Sequence, residues 1–504
     1  MDKLKENHNN VFNFKYISVA IIVTLLNSFF YDSFIIMLLL VVIQSLILIR
    51  CLIHNQDVKY ISYYIIFLST SMESASYVGA DVFYGFKEFR IAGVNLGVIF
   101  LLILLIKFVL NGEIQHPYKS KGYAGKFMKG VFILTPIGIF MGLFNLLMND
   151  NDILIKMTSI GMFIDASYIF IFVSIEVIVI YTVIRCNIKD INEIKQSLVA
   201  IIISLAITLV TCMLLENYGN RGGLNSLQVS NIIMLLGCAI IIPFYQDYHK
   251  NEKIILVIST MIILVLGLMY NTNGKMIIIM AIIPVIIITI LLKRKMYRTV
   301  ILTLLSGIFI IYFTFNNILP SMCNNSLLLS TKLEQVSGML SVDNEWFKNM
   351  PSSPKMRISQ FLNITSEYIE KPWFIFTGKG YLGTIEDNLS LFGYVDEFAY
   401  SKWQIENALY HKMHETLNTF YLANGMIGII FFLWVLKNIV SKIHKSPWMV
   451  IGGFWFVLFY AYSLTISIFG VTALIIAFMD IDYKEINYLN YKNGDKLVKN
   501  ELSI

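Results

Sequence analysis

Apolar runs, each about as long as a bilayer is thick, alternate with short polar breaks along most of the chain. A helix needs about 20 mostly apolar residues to cross a bilayer. The pattern predicts fourteen such helices: 16–31, 34–53, 60–78, 92–111, 130–148, 158–184, 197–215, 231–247, 254–270, 276–292, 299–319, 415–436, 447–463 and 465–479. One stretch breaks the rhythm. Residues 320–413 hold Pro351, Pro354 and Pro372, the turn region Gly378–Gly383, and most of the acidic residues outside the termini. Connections of this length are usually functional or disordered. Within it Ile358, Phe361, Leu362 and Ile364 recur at helical spacing. That spacing predicts short helices packed on the membrane domain.

The expected architecture is an all-α polytopic membrane protein with about fourteen transmembrane helices, in the range of twelve to fourteen. Residues 1–319 form an N-terminal membrane domain of about eleven spans. Residues 320–413 form the long loop, 414–480 the C-terminal spans, and 481–504 a tail. The polar start from Met1 to Lys15 runs into one apolar segment and then at once another, which suits a retained first span and not a cleaved leader.

Composition agrees with the pattern. Apolar residues make up 57% and charged residues 14%, against about 45–50% and about 25% in soluble domains, and mean hydropathy is +0.69. A soluble enzyme or a nucleic-acid-binding domain is excluded, because such a chain would expose too much apolar surface to water. The net charge of +6 then reflects basic loops. With the N-terminus inside, most lysines and arginines fall on the N-terminus, the even-numbered loops and the C-terminus. The short outer loops carry only Lys87, Arg90, Lys156, Arg221 and Lys275. This asymmetry places both termini in the cytoplasm and the long loop outside. Clusters such as Lys293-Arg294-Lys295 then face the anionic inner leaflet. The five cysteines, Cys51, Cys186, Cys212, Cys238 and Cys323, show neither metal-ligand spacing nor a disulfide framework.

Few residues stand out as chemistry. Arg357 opens RISQFLNITSEYIEKPWFIFTGKGYLG. Its permanent charge and planar fork suit phosphate oxygens; an ion pair with Glu367 or Glu370 is the plainer reading. Arg221 lies in ENYGNRGGLNSLQVSN, where Gly222 and Gly223 would let a ligand approach the backbone; a snorkelling interfacial arginine is the alternative. Lys275 ends the turn YNTNGK and reads as a point charge for a ligand or as a snorkelling lysine. His414 and Glu415 stand where the long loop re-enters the membrane, before Gly425 and Gly428. A histidine titrates near neutrality and takes a proton from a hydroxyl; at an interface it is also often structural. His411 lies one turn away, without a third zinc ligand at convincing spacing. The acidic pairs Glu386-Asp387 and Asp396-Glu397 suit a divalent cation or simply a soluble loop. There is no phosphate-binding Gly-rich loop and no nucleophile elbow. Asp165 and Glu176 are the notable acidic residues near the spans, and ion-coupled carriers usually need more.

Taken in order, these pieces resemble the O-antigen polymerase and O-antigen ligase superfamily of bacterial envelope glycosyltransferases. A long loop precedes the last spans. Arg357 through Glu370, Pro372, Gly378 and Gly380 looks like the family's arginine-led loop helix and its Pro-to-Gly-x-Gly turn. His414 with a polar neighbour, then Gly425-x-x-Gly428, is similar to the ligases' His-led motif, and Arg221-Gly-Gly followed by Asn231 is similar to the family's Arg-x-Gly…Asn stretch. The family usually has Ser-Arg or Gly-Ser-Arg where this chain has Asn273-Gly274-Lys275, and Glu415 stands where ligases carry Asn, Ser or Gln. Fourteen spans also exceed the ligases' usual twelve. These departures suit the more divergent polymerases.

The resemblance implies a metal-independent enzyme of the membrane glycosyltransferase C type, with no cofactor. It implies donor and acceptor glycans on undecaprenyl diphosphate at the outer face of the bacterial plasma membrane, with a chain-length regulator and a flippase as further partners. Arg357, Arg221 and Lys275 would hold the pyrophosphate, with His414, Glu415 and Arg357 catalytic. A ligase passing glycan to lipid A core or protein, or an exporter of lipid-linked sugars, are the other readings. An exporter usually has short loops throughout and two related halves, unlike this chain.

Overall fold

The computed structural model describes residues 13–30, 33–70, 86, 89–91, 94–116, 119, 122–148, 175–187, 191–214, 250–270, 301, 305, 350, 352–381, 383–392, 402–410, 413, 415–441, 447–460 and 472–480. These residues are mostly helical. The helices are α1 (Phe14–Phe29), α2 (Phe34–Ile53), α3 (Asp57–Thr70), α4 (Leu96–Leu110), α5 (Tyr123–Met148), α6 (Ile191–Leu214), α7 (Lys250–Tyr270), α8 (Ser352–Glu370), α9 (Trp373–Thr377), α10 (Lys402–Asn407), α11 (Thr416–Val440) and α12 (Pro447–Tyr460). Residues 175–186 and 472–480 are also helical. The all-helical expectation misses one small antiparallel pair, β1 (Arg90–Ile91) and β2 (Val94–Asn95), which runs straight into α4.

Among the described residues, four helices are long and apolar enough to cross a membrane: Phe34–Ile53, Tyr123–Asn145, Asn192–Thr211 and Thr416–Val440. The chain is thus a helical membrane protein. Of the segments read from the sequence, 231–247 and 276–292, and most of 158–184 and 299–319, lie outside the described residues. The predicted span 60–78 begins earlier than expected, at Asp57, whose carboxylate pairs with Lys107 of α4 at 2.6 Å.

The packing is that of a bundle in an apolar solvent. On α2, Ile35, Leu39, Val42, Ile43, Leu46 and Ile53 are exposed. They recur every three to four residues, so they form one stripe. Water would not tolerate that stripe, whereas acyl chains do. The opposite face of α2 buries Met37, Leu40, Val41, Gln44, Leu48 and Cys51. Helix starts are satisfied locally: Asn13 accepts from Lys15 N at 3.1 Å and Asn95 accepts from Gly97 N at 3.0 Å. Polar contacts then bind helix to helix. Asn27 donates to Thr70 O at 2.7 Å, Tyr60 to Phe100 O at 2.6 Å, and Tyr16 to Glu193 at 3.1 Å.

A second group of helices carries the long loop. At one end, Asp480 accepts backbone hydrogens from Tyr123 and Ala124 at the start of α5. A carboxylate there opposes the positive end of the helix dipole. Lys126 of α5 donates to Asn438 of α11 at 2.6 Å and sits 5.7 Å from the Trp434 ring. So α5 and α11 share this end, and they meet α8 and α9 toward the other.

Candidate functional site

The loop helix α8 is inside-out for a soluble helix. Its buried stripe is Met356, Ser359, Gln360, Asn363, Ile364 and Tyr368. Ile364 is buried, but Phe361 and Leu362 are both 39% exposed. Phe361 lies along Tyr421 of α11, ring centroids 5.1 Å apart. The apolar half of the stripe, Met356, Ile364 and Tyr368, joins a core with Phe374, Tyr421 and Leu422, and its polar half includes Gln360, which meets Asn418 at the start of α11.

The first turns of α8 bring Arg357 to the N-terminus of α11. Its Nε lies 3.0 Å from Oε2 of Glu415. Glu415 is the residue preceding α11, in an extended conformation, just outside the apolar span. The Nε–H is aimed at no acceptor, so charge holds the pair rather than an aligned hydrogen bond. Asn418, one turn into α11, donates to Arg357 O at 2.8 Å and lies 3.4 Å from Gln360 Oε1. These two amides fix α8 against α11 at the level of the pair. Glu415 is 8% exposed. Burial pushes its carboxyl up to about 7, and the guanidinium beside it pulls the other way. A carboxylate poised there exchanges a proton near neutrality.

Below the pair, two glycine motifs lock together. The α11 backbone breaks at Gly425, at φ 58° and ψ −151°. The break deprives nearby carbonyls of helical partners, and the loop supplies replacements. Lys379 N donates to Leu422 O at 2.8 Å, and Gly380 N to Ala423 O at 3.1 Å. Tyr368 Oη lies 3.0 Å from Tyr421 O and 2.9 Å from Leu422 O. Tyr381 N donates to Gly138 O of α5 at 3.1 Å, Asn424 to Leu134 O at 3.1 Å, and Asn145 to Lys379 O. The turn after Pro372 therefore fills the gap in a broken membrane helix, the arrangement an apolar solvent requires of irregular backbone.

Three further described charges of the loop, Lys379, Glu367 and Asp387, find partners within it. Lys379 pairs with Glu367 and donates to Thr384 O at 2.7 Å. Glu367 also accepts from Glu386 N at 3.1 Å. Asp387 accepts from Leu391 N at 2.9 Å, Phe392 N at 3.0 Å and Asn363 at 2.8 Å. Its carboxylate closes a turn. Among the described residues no group of three His, Cys, Asp or Glu side chains could hold a metal.

Of the five residues singled out from sequence, the structure brings Arg357 and Glu415 together. His414, Arg221 and Lys275 lie outside the described residues, as do Asp165, His411 and the pair Asp396-Glu397. The plainer reading of Arg357 named the wrong partner, since Lys379 occupies Glu367. Sequence reasoning missed Gln360, Asn418 and Lys379. The first two were signalled by i, i+3 spacing from Arg357 and from Glu415; Lys379 carried no local signal. No protein-family model matches the chain, and a comparison with curated proteins finds no match.

Proposed function

We propose that this protein is a membrane glycosyltransferase of the C type, a polymerase that joins undecaprenyl-diphosphate-linked repeat units into O-antigen, capsule or exopolysaccharide chains. The reaction would take place at the outer face of the bacterial plasma membrane, with both termini cytoplasmic. The observation that carries the reading is the Arg357–Glu415 pair. It joins the two halves of the family-like motif, and it couples a permanent cation to a carboxyl that titrates near neutrality.

The chemistry divides between the two. The acceptor sugar hydroxyl is a poor nucleophile until its proton is taken. Glu415, or its neighbour His414, removes that proton as the oxygen attacks the anomeric carbon of the donor. A proton transfer of this kind contributes typically ~10²–10⁴-fold. The bond from that carbon to the lipid pyrophosphate breaks, and the leaving group departs as an anion. It needs charge stabilisation more than protonation. Arg357, with Arg221 and Lys275, supplies it, and no metal is required.

The test compares lipid-linked and surface glycan from a strain lacking the gene, complemented with wild type, Arg357→Ala or Glu415→Gln. A ladder restored by wild type alone, with single repeat units left by the variants, supports the polymerase. Long chains held on the lipid carrier would identify a ligase. Repeat units trapped on the cytoplasmic side would identify an exporter and overturn the enzyme reading.

A further inference from the structure

The Gly-rich turn sits deep along α11, and that depth has a consequence for α9. Two helices act as rulers. On α11, Gly425 is 12 residues from Lys437 and 15 from Val440, which at 1.5 Å per residue is roughly 18 to 22 Å. On α5, Gly138 is 15 residues from Tyr123, again roughly 22 Å. Lys126, Asn438 and Trp434 tie these two helix ends together, and a lysine beside an aromatic ring marks a membrane interface. The hydrocarbon layer is about 30 Å thick. Gly425 and Gly138 therefore lie roughly 8 to 12 Å below the surface of the opposite leaflet.

The loop reaches that level. A Cβ on Gly425 would lie 2.6 Å from the carbonyl oxygens of Ile375 and Phe376. So α9 stands beside the break in α11, inside the bilayer. Phe374 N and Ile375 N of α9 donate to Lys371 O and Pro372 O, and the turn that follows donates from Lys379, Gly380 and Tyr381 to Leu422 O, Ala423 O and Gly138 O, which lowers the cost that normally keeps irregular chain out of hydrocarbon. Large apolar side chains face outward here: Trp373 of α9 is 57% exposed and Phe376 64%, and Ile369 at the end of α8 is 68% exposed. The exposed face of α11 continues this surface with Ile427 and Ile430. The exposed charges Glu370 and Lys371 stand at the bend above, level with Tyr421 and Leu422 through Tyr368. Their chains reach back to the headgroups.

We propose that α9 and its flanking residues form a re-entrant wedge in the leaflet nearest the long loop, with Ile369, Trp373 and Phe376 against the acyl chains of bilayer phospholipid. The wedge is a lipid-contact surface built into the loop. It seats α8 so that Arg357 stands level with Glu415.

The test places benzoylphenylalanine at position 376 of the full chain, reconstituted in nanodiscs of phosphatidylethanolamine and phosphatidylglycerol without glycan lipid. Position 430 serves as a lipid-facing reference and position 389, in the acidic turn of the loop, as a water-facing one. Adducts are read by mass spectrometry after irradiation. Phospholipid adducts at 376 in yield similar to 430, and at least tenfold above 389, support the wedge. Absence of lipid adducts at 376 while 430 forms them overturns it. A chain-to-chain adduct at 376 also overturns it, because a second copy then covers the face. Position 373 is read in the same way, so one misfolded variant leaves the other decisive. Neither result depends on glycan transfer.

Discussion

Gly378 and Gly425 touch backbone to backbone. A Cβ built on Gly378 would lie 2.5 Å from Asn424 N and 2.6 Å from Gly425 N, and one on Gly425 would lie 2.7 Å from Gly378 N. Both have positive φ, 67° and 58°. Each position is therefore closed to side chains twice over, by backbone conformation and by contact. Gly112 has φ 67° as well, but a Cβ there meets nothing within 4 Å. Gly112→Ala should cost only the conformational strain, about 1–2 kcal/mol. Gly378→Ala and Gly425→Ala should each cost clearly more, because main chain cannot step aside as a flexible side chain does. Thermal unfolding in detergent checks this. Equal losses at all three positions would mean the two motifs do not meet.

Glu415 makes stability depend on pH in a defined sense. Its carboxyl is raised by burial to about 7, so the folded protein binds the proton more tightly than the unfolded chain does. Its stabilising contribution is full below the ordinary carboxylate range and is lost as pH rises through about 7. The expected size is on the order of 3 kcal/mol. Glu415→Gln should flatten the midpoint between about pH 5 and about pH 8. Arg357→Ala removes the charge that pulls the carboxyl down, so the loss should move to higher pH. A profile unchanged by Glu415→Gln would assign the titration elsewhere.

If Arg357 grips a pyrophosphate, its shape matters as well as its charge. Lysine keeps the charge but loses the planar fork and the paired donors. Arg357→Lys should lower glycan transfer about 10²-fold or more, the usual cost of removing a donor aimed at developing charge. Its thermal midpoint should stay close to wild type, because the ion pair with Glu415 is preserved. Full activity would remove the bidentate clamp from the mechanism.

How much of this is readable in advance depends on the range of the interaction. The lipid-facing stripe of α2 is written in its own residues, since Ile35, Leu39, Val42 and Leu46 share one face of one helix. Glycine at 378 and 425 announces unusual backbone, but their meeting joins a loop to a span. The Arg357–Glu415 pair is of the same kind, and helical spacing points Arg357 at its near neighbours instead. On α8 the apolar residues share no single side: Ile364 is buried, whereas Phe361 and Leu362 are 39% exposed, with Phe361 against Tyr421. Apolar periodicity marks a helix without saying whether oil or water lies beyond each face.

The Lys379–Glu367 pair offers a test of that boundary between oil and water. Both side chains are 13% exposed, and Lys379 Nζ also holds Thr384 O. Lys379→Met would leave Glu367 with only the Glu386 N–H for company. Breaking a buried pair from one side costs about 3–5 kcal/mol, whereas replacing both members by apolar groups is often neutral. The backbone of Lys379 carries the bond to Leu422, so the damage should spread to the Gly378–Gly425 contact. Lys379→Met alone should therefore lower the thermal midpoint sharply, and Lys379→Met with Glu367→Leu should recover most of it. A double variant as unstable as the single one would show that the bond to Thr384, and not the charge of Glu367, is what the lysine is there to satisfy.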